Sequence, residues 1–205
     1  SDVCSSDLLK IILDEVIDNI LESNVRVVGF SIYSSNRYSV KYMATTLRER
    51  QPDICIIAGG PETITSEDSF KENGLLYNLF NYIFVGETEK NLLDILDALP
   101  DTLEMNTIIG TTNSRLDLGE FPYPDYTDYC VQNYDEAGLS METSRGCIAQ
   151  CSFCAETYFW KFRSLEPKRI VDEIEYQVRK HNIVRFWFVD SLANGNLKNF
   201  KEFVD

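Results

Sequence analysis

The chain has 205 residues, 44% apolar, 12% aromatic and 25% charged, with 10 Gly and 6 Pro; collagen-like, low-complexity and small disulfide-framework classes are excluded, and a sizeable buried core is affordable. The 19 Lys and Arg against 33 Asp and Glu leave a net charge of -14, which repels polyphosphate and anionic lipid and disfavours a nucleic-acid partner. No run of about eighteen apolar residues occurs and no basic-then-apolar leader is visible, so no membrane span is expected and the expected location is the cytoplasm.

The first eight residues carry no periodicity. Leu9, Ile12, Leu13, Val16, Ile17, Ile20 and Leu21 then recur at three- and four-residue spacing, which predicts a helix with a buried face ending near Asn24. Val25 to Tyr33 is a β-branched apolar run, read as a buried strand that opens into Ser34-Ser35-Asn36, and a helix follows over Tyr38 to Arg50. Ile54 to Ala58 is a second buried strand running into Gly59-Gly60-Pro61, and Tyr82 to Val85 a third. Thr88 is placed to cap a helix with Leu92, Leu93, Ile95, Leu96 and Leu99 on its apolar face. This alternation predicts right-handed crossovers and a parallel sheet covered on both faces over residues 8–110.

Residues 111–138 follow neither period. Pro122, Pro124 and Tyr123, Tyr126, Tyr129 and Tyr134 mark a linker packed down by its aromatics. From 139 onward the rhythm returns: a strand over Leu139 to Thr143, a helix from Pro167 with Ile170, Val171, Ile174 and Val178 on one face, a strand over Val184 to Val189 ending at Asp190, and the start of another helix.

Six cysteines without a secretory context read as thiols or metal ligands. Cys4, Cys55 and Cys130 are scattered, but Cys147, Cys151 and Cys154 share one short loop after a strand. Two inorganic centres are open to such a loop. Structural zinc needs a fourth ligand, for which only His181 or Cys130 is on offer. A 4Fe-4S cluster takes three thiolates and leaves one iron open to an outside ligand.

Cys147-Ile-Ala-Gln-Cys151-Ser-Phe153-Cys154, preceded by Ser144-Arg145-Gly146, resembles the cluster loop of the radical S-adenosylmethionine superfamily. The resemblance implies that residues 139–205 form the first part of a partial (β/α)6 TIM-like barrel. It implies a 4Fe-4S cluster on Cys147, Cys151 and Cys154, with S-adenosyl-L-methionine chelated at the open iron and cleaved reductively to a 5'-deoxyadenosyl radical. Electrons would come from a donor such as a flavodoxin or ferredoxin. Phe153 is implied to lie near the adenine. Where the family often has Gly-Gly-Glu to receive the methionyl amino group, this chain has Phe188-Val189-Asp190-Ser191, which makes Asp190 the implied acceptor. Arg145, Glu156, Arg163 and Asn194 lie on the same side of the strands, and Trp160 and Phe162 read as packing. Only two strand-helix units follow residue 138 where such a barrel has about six, so a C-terminally truncated fragment is expected.

Residues 8–110 resemble the Rossmann-like, flavodoxin-like cobalamin-binding domain found ahead of the barrel in one branch of the superfamily. Ser31, in Gly29-Phe30-Ser31-Ile32-Tyr33, and Gly59 and Gly60, in Gly59-Gly60-Pro61-Glu62, match its segments near the nucleotide tail, and Val85-Gly86-Glu87-Thr88-Glu89 also fits. The branch's Asp-x-His-x-x-Gly element has no counterpart before Leu9, and His181 lies in the other domain. The function implied is a radical S-adenosylmethionine enzyme acting on a small molecule or peptide, for example by methylation or cyclisation. The acidic balance argues against a transfer-RNA substrate. The alternative is a non-catalytic zinc- or cluster-holding regulatory or assembly module on an α/β domain.

Overall fold

The computed structural model describes residues 5–111, 115–133 and 137–205; Cys4 and Tyr134 lie outside them. The chain divides into two compact units, Ser1–Ser114 and Arg115–Asp205.

The first unit runs α1 (Ser5–Glu22), β1 (Val27–Ser31), α2 (Arg37–Arg50), β2 (Cys55–Gly59), α3 (Glu62–Thr65), β3 (Tyr82–Val85), α4 (Glu89–Asp97) and β4 (Thr107–Gly110). The four strands pair in parallel in the order β1-β2-β3-β4. Val28, Ile56, Ala58 and Ile83, alternate positions of three strands, meet Ile17 of α1, Val40, Ala44 and Leu47 of α2, and Phe70, Leu76 and Phe80 of the segment before β3. On the opposite face Gly29 and Ser31 are exposed and Ile57 is half-buried, so the sheet is not covered equally on both sides as its sequence predicts. Strand order supplies the reason. When right-handed crossovers advance in one direction along a sheet, their helices land on one face, as α2 does with Val40, Ala44 and Leu47; α4 departs from this, its Leu92 lining a cleft with Gly29, Ile57 and Phe84.

Two helices bury less than their periodicity predicts. In α1 only Ile17 is fully buried, with Ile20 and Leu21 against the core, while Leu9, Ile12 and Val16 are exposed. The helix has 18 residues and β1 only 5, roughly 27 Å against 17 Å by their rises, so its first turns overrun the sheet. In α4 no residue is buried, Leu93 and Leu96 are exposed, and Thr88 makes no side-chain cap. A helical period shows which side chains share a face, not whether a surface faces them. The edge strand β4, bonded among the described residues only to β3, is not visible in the sequence because Thr107–Gly110 is short and flanked by loop residues.

The sheet is locked at its N-terminal end by a buried polar residue. Asn81, fully buried, accepts at Oδ1 from the Ile56 backbone N–H and from Arg48 Nη2, both at 2.9 Å, and its Nδ2 donates to the Glu104 carbonyl at 3.0 Å. Arg48 also donates to the carbonyls of Pro52 and Ile54. Every polar atom of the Asn81 amide is thus engaged, as burial demands.

The second unit runs β5 (Leu139–Met141), β6 (Ser144–Arg145), α5 (Glu156–Phe159), β7 (Arg163–Ser164), α6 (Pro167–His181), β8 (Phe186–Phe188) and α7 (Leu197–Val204). β5 pairs in parallel with β8, α6 lies between them in sequence, and β6 pairs antiparallel with β7. Leu118, Met141, Leu165 and Ile170 form one core, and Val131, Leu139 and Ile183 another.

The buried stripe of α6 is Ile170, Glu173 and Gln177, while Val171 is exposed, a departure from the apolar face predicted for this helix. The segment read as a linker explains it. Residues 121–126 lie on α6 and offer carbonyls: Arg169 donates to Phe121 O at 3.0 Å, Gln177 to Pro124 O at 2.8 Å, and Tyr123 stacks against Tyr176. Burial pushes the Glu173 carboxyl up, a shift opposed by Arg169 at 2.9 Å. β8 exposes Trp187 and Phe188, and Val189 just past its end is exposed too, because among the described residues only β5 flanks it. No helix among the described residues is long and apolar enough to cross a membrane.

Substituting Asn81→Ala leaves the Ile56 N–H and the Arg48 guanidinium short of an acceptor and is expected to destabilise the chain by about 1–3 kcal/mol. Urea unfolding of the full chain measures this, with the exposed Asn91→Ala, expected within about 0.5 kcal/mol of wild type, as the comparison.

Candidate functional sites

Parallel strands end at one edge, and at that edge of the first unit the chain leaves a cleft of about 310 Å³. Gly29, Ser31, Ile57, Gly59, Phe84 and Leu92 are among its walls. The three residues singled out in sequence, Ser31, Gly59 and Gly60, all line it. Ser31 ends β1, and its carbonyl accepts from Asn36 Nδ2 at 3.0 Å, which folds the following loop back on the strand.

The two adjacent glycines have different physical causes. Gly60 has φ +91, and a Cβ there would stand 2.7 Å from the Ile32 nitrogen and 2.9 Å from its oxygen; the turn itself demands glycine. A Cβ on Gly59 would meet nothing nearer than Phe84 Cβ at 4.0 Å. Packing does not exclude a side chain at Gly59, so its absence leaves cleft space and bare backbone for a ligand to approach.

In the second unit the cysteines sit on an excursion whose base is pinned. Ser144 pairs with Ser164 and Arg145 with Arg163, and Cys147 bridges to Lys161. Gly146 starts the excursion at φ +84, where a Cβ would lie 2.9 Å from the Lys161 carbonyl carbon. Cys147 and Cys154 are half-buried and Cys151 is exposed. The Cys147 Sγ accepts from the Ala149 N–H at 3.4 Å, and Phe153 is 90% exposed. The five described cysteines form no disulfide. Cys55 is of another kind: burial pushes its thiol up, against the opposing pull of Arg48 and Arg26, so it remains a protonated packing residue. Among the described residues no three His, Cys, Asp or Glu side chains stand together as a metal-holding group, so the loop contributes three thiols by spacing rather than a preassembled site.

Asp190, just beyond β8, is drawn to this loop. Its Oδ1 accepts from the Thr143 N–H at 3.0 Å, the Thr143 hydroxyl at 2.9 Å and the Ser144 hydroxyl at 2.7 Å, while its Oδ2 is buried with no hydrogen-bond partner. The neighbouring Ser191 donates to Glu156 Oε1 at 2.6 Å. Two consecutive residues therefore hold the approach to the cysteine loop on one side and α5, its exit, on the other. Nothing in the sequence around Thr143 or Ser191 marks them as part of a site. A hydroxyl before a loop is unremarkable until its partner 47 residues away is seen beside it.

Of the remaining polar candidates Asn194 is exposed, and the two arginines are committed to structure. Arg145 forms a two-pronged pair with Glu142 at 2.8 and 2.9 Å and lies over the Trp160 ring, and Arg163 donates to the Leu116 carbonyl at 3.0 Å.

No family model matches the chain. Among curated proteins it is 25% identical over 227 aligned positions, covering all of this chain and 40% of the relative, to the anaerobic magnesium-protoporphyrin IX monomethyl ester cyclase of Rubrivivax gelatinosus. The enzyme of the same name from Cereibacter sphaeroides is 41% identical over 113 residues, 53% of this chain and 18% of that protein. The cobalamin-dependent radical SAM methyltransferase TokK of Streptomyces tokunonensis is 27% identical over 202 residues, 87% of this chain and 29% of TokK. The relatives include radical S-adenosylmethionine enzymes, and the chain is similar to them. It spans less than half the length of these curated relatives. The cysteine excursion and the β-edge cleft lie in separate units, each with its own local geometry.

The contrast between the glycines yields a stability test. Gly60→Ala is expected to lose at least about 1–2 kcal/mol from its left-handed backbone alone, and Gly59→Ala to stay within about 0.5 kcal/mol of wild type, both read from urea midpoints.

Proposed function

We propose that this chain performs radical S-adenosylmethionine chemistry on a small-molecule or peptide substrate, by methylation or cyclisation. The first unit would be the Rossmann-like cobalamin-binding part and the second the opening portion of a partial (β/α)6 barrel. The observation that carries the reading is the C-x-x-x-C-x-x-C excursion, pinned at its base and set beside an oriented carboxylate.

The donor set suits a 4Fe-4S cluster: three thiols on one loop, none in a disulfide, at least one open to solvent. Cys147, Cys151 and Cys154 would hold it. When bound with S-adenosyl-L-methionine, such a cluster supplies one-electron cleavage of the sulfonium to a 5'-deoxyadenosyl radical, the electron coming from a flavodoxin or ferredoxin. The chain's own share is placement. Asp190 has one acceptor oxygen without a donor and is suited to the cofactor's ammonium. Phe153 offers an open ring face for adenine. In the first unit Ser31, Gly59 and Gly60 would line a cobalamin site, the space at Gly59 admitting the nucleotide tail against backbone. Cobalamin dependence is a property of TokK, which supports this part of the reading by similarity.

Anaerobic reconstitution of the chain with iron and sulfide tests the cluster. Sulfide-to-iron charge-transfer absorption and about four irons per chain are expected, with both lost in Cys151→Ala while the urea midpoint of the first unit is kept. Tightly bound zinc in place of iron, with no cleavage of S-adenosyl-L-methionine, would favour the non-catalytic module instead.

Cobalamin binding is read separately, by equilibrium dialysis with hydroxocobalamin. Gly59→Val should fill the cleft and weaken retention at least about tenfold, a loss of about 1.4 kcal/mol, with the fold intact. Equal retention by wild type and variant would remove cobalamin from the proposal.

A further inference from the structure

Asp190 is held asymmetrically. All three of its donors, the Thr143 N–H and the hydroxyls of Thr143 and Ser144, converge on Oδ1 at 2.7–3.0 Å. Oδ2 is buried and accepts nothing. A buried carboxylate oxygen without a donor is costly, and a donor supplied by a ligand would relieve that cost. Oδ1 has no remaining capacity, so any further donor must approach Oδ2.

Resting on the function proposed above, we propose that Thr143 and Ser144 are positioning residues for cofactor binding. By saturating Oδ1 they fix the carboxylate rotation and leave Oδ2 as the one acceptor for the ammonium of S-adenosyl-L-methionine. Both hydroxyls belong to the stretch between β5 and Cys147, three and four residues ahead of that cysteine. The carboxylate is therefore oriented by the same backbone that leads into the thiol loop, and the distance between acceptor and thiols is set by covalent geometry on one side and two hydroxyl contacts on the other. Ser144 is almost fully buried, so its hydroxyl does not compete with water for this contact. Its second, longer contact, to the Leu192 carbonyl at 3.3 Å, ties it to the same turn as Asp190.

The hydroxyls can be removed without touching Asp190 or the cysteines. The full chain carrying Thr143→Val and Ser144→Ala is reconstituted anaerobically and titrated with S-adenosyl-L-methionine by calorimetry, with the electron paramagnetic resonance of the reduced cluster recorded before and after addition. Iron content and the spectrum without cofactor are expected to match wild type. Cofactor affinity is expected to fall about tenfold or more, with loss of the cofactor-induced spectral change, and the hydroxyl-retaining Ser144→Thr should restore most of both. Since the double variant could fail to fold, Ser144→Ala alone is measured in parallel and should show the same direction with a smaller fall. A double or single variant that folds, loads iron and binds the cofactor like wild type overturns the inference alone. A wild-type chain that loads no cluster overturns the reading beneath it as well.

Discussion

Parallel pairing requires the chain to re-enter each strand from the same end, and both units are arranged by that requirement. In the first it brings the ends of β1, β2 and β3 to a common edge, so that Ser31, Gly59 and Phe84 wall one cleft although they are spread over more than fifty residues. In the second it sets the end of β8 beside the end of β5, and Asp190 meets Thr143 and Ser144. An antiparallel partner would have carried Asp190 to the opposite end. Sites at the carboxyl ends of parallel strands are thus a consequence of how such sheets are connected.

Buried polar groups show where the packing is most constrained. Asn81 sits where β2 and β3 begin and closes a network with Arg48 that has no unsatisfied amide atom. On α6, Glu173 and Gln177 occupy positions that periodicity assigns to apolar residues, because an irregular proline-containing segment lies there with carbonyls to satisfy. Asp190, like the Gln177 amide, is satisfied at one atom and not at the other: three donors meet its Oδ1 while Oδ2 accepts nothing.

Cysteines and glycines divide along the same line. Cys55 is buried in the sheet with its thiol pushed toward the neutral form, while the three clustered cysteines stand on a loop with little packing to explain them. Gly60 is accounted for by its backbone; Gly59 is not, having open space where a side chain would go. Residue type alone does not separate the members of either pair. Their surroundings do.

Spacing along the chain was enough to determine the alternating α/β character, the bounds of β3 at Tyr82–Val85, and the thiol triplet of Cys147, Cys151 and Cys154, since each depends on neighbours a few residues apart. The burial of α1 and α4 was not legible, because periodicity carries no information about an opposing surface. Nor was the attachment of residues 121–126 to α6, or the hold of Thr143 and Ser144 on Asp190, across 46 and 47 residues. Those contacts exist only once the parallel crossover has closed, and no local rule connects a hydroxyl to a carboxylate that far along the chain.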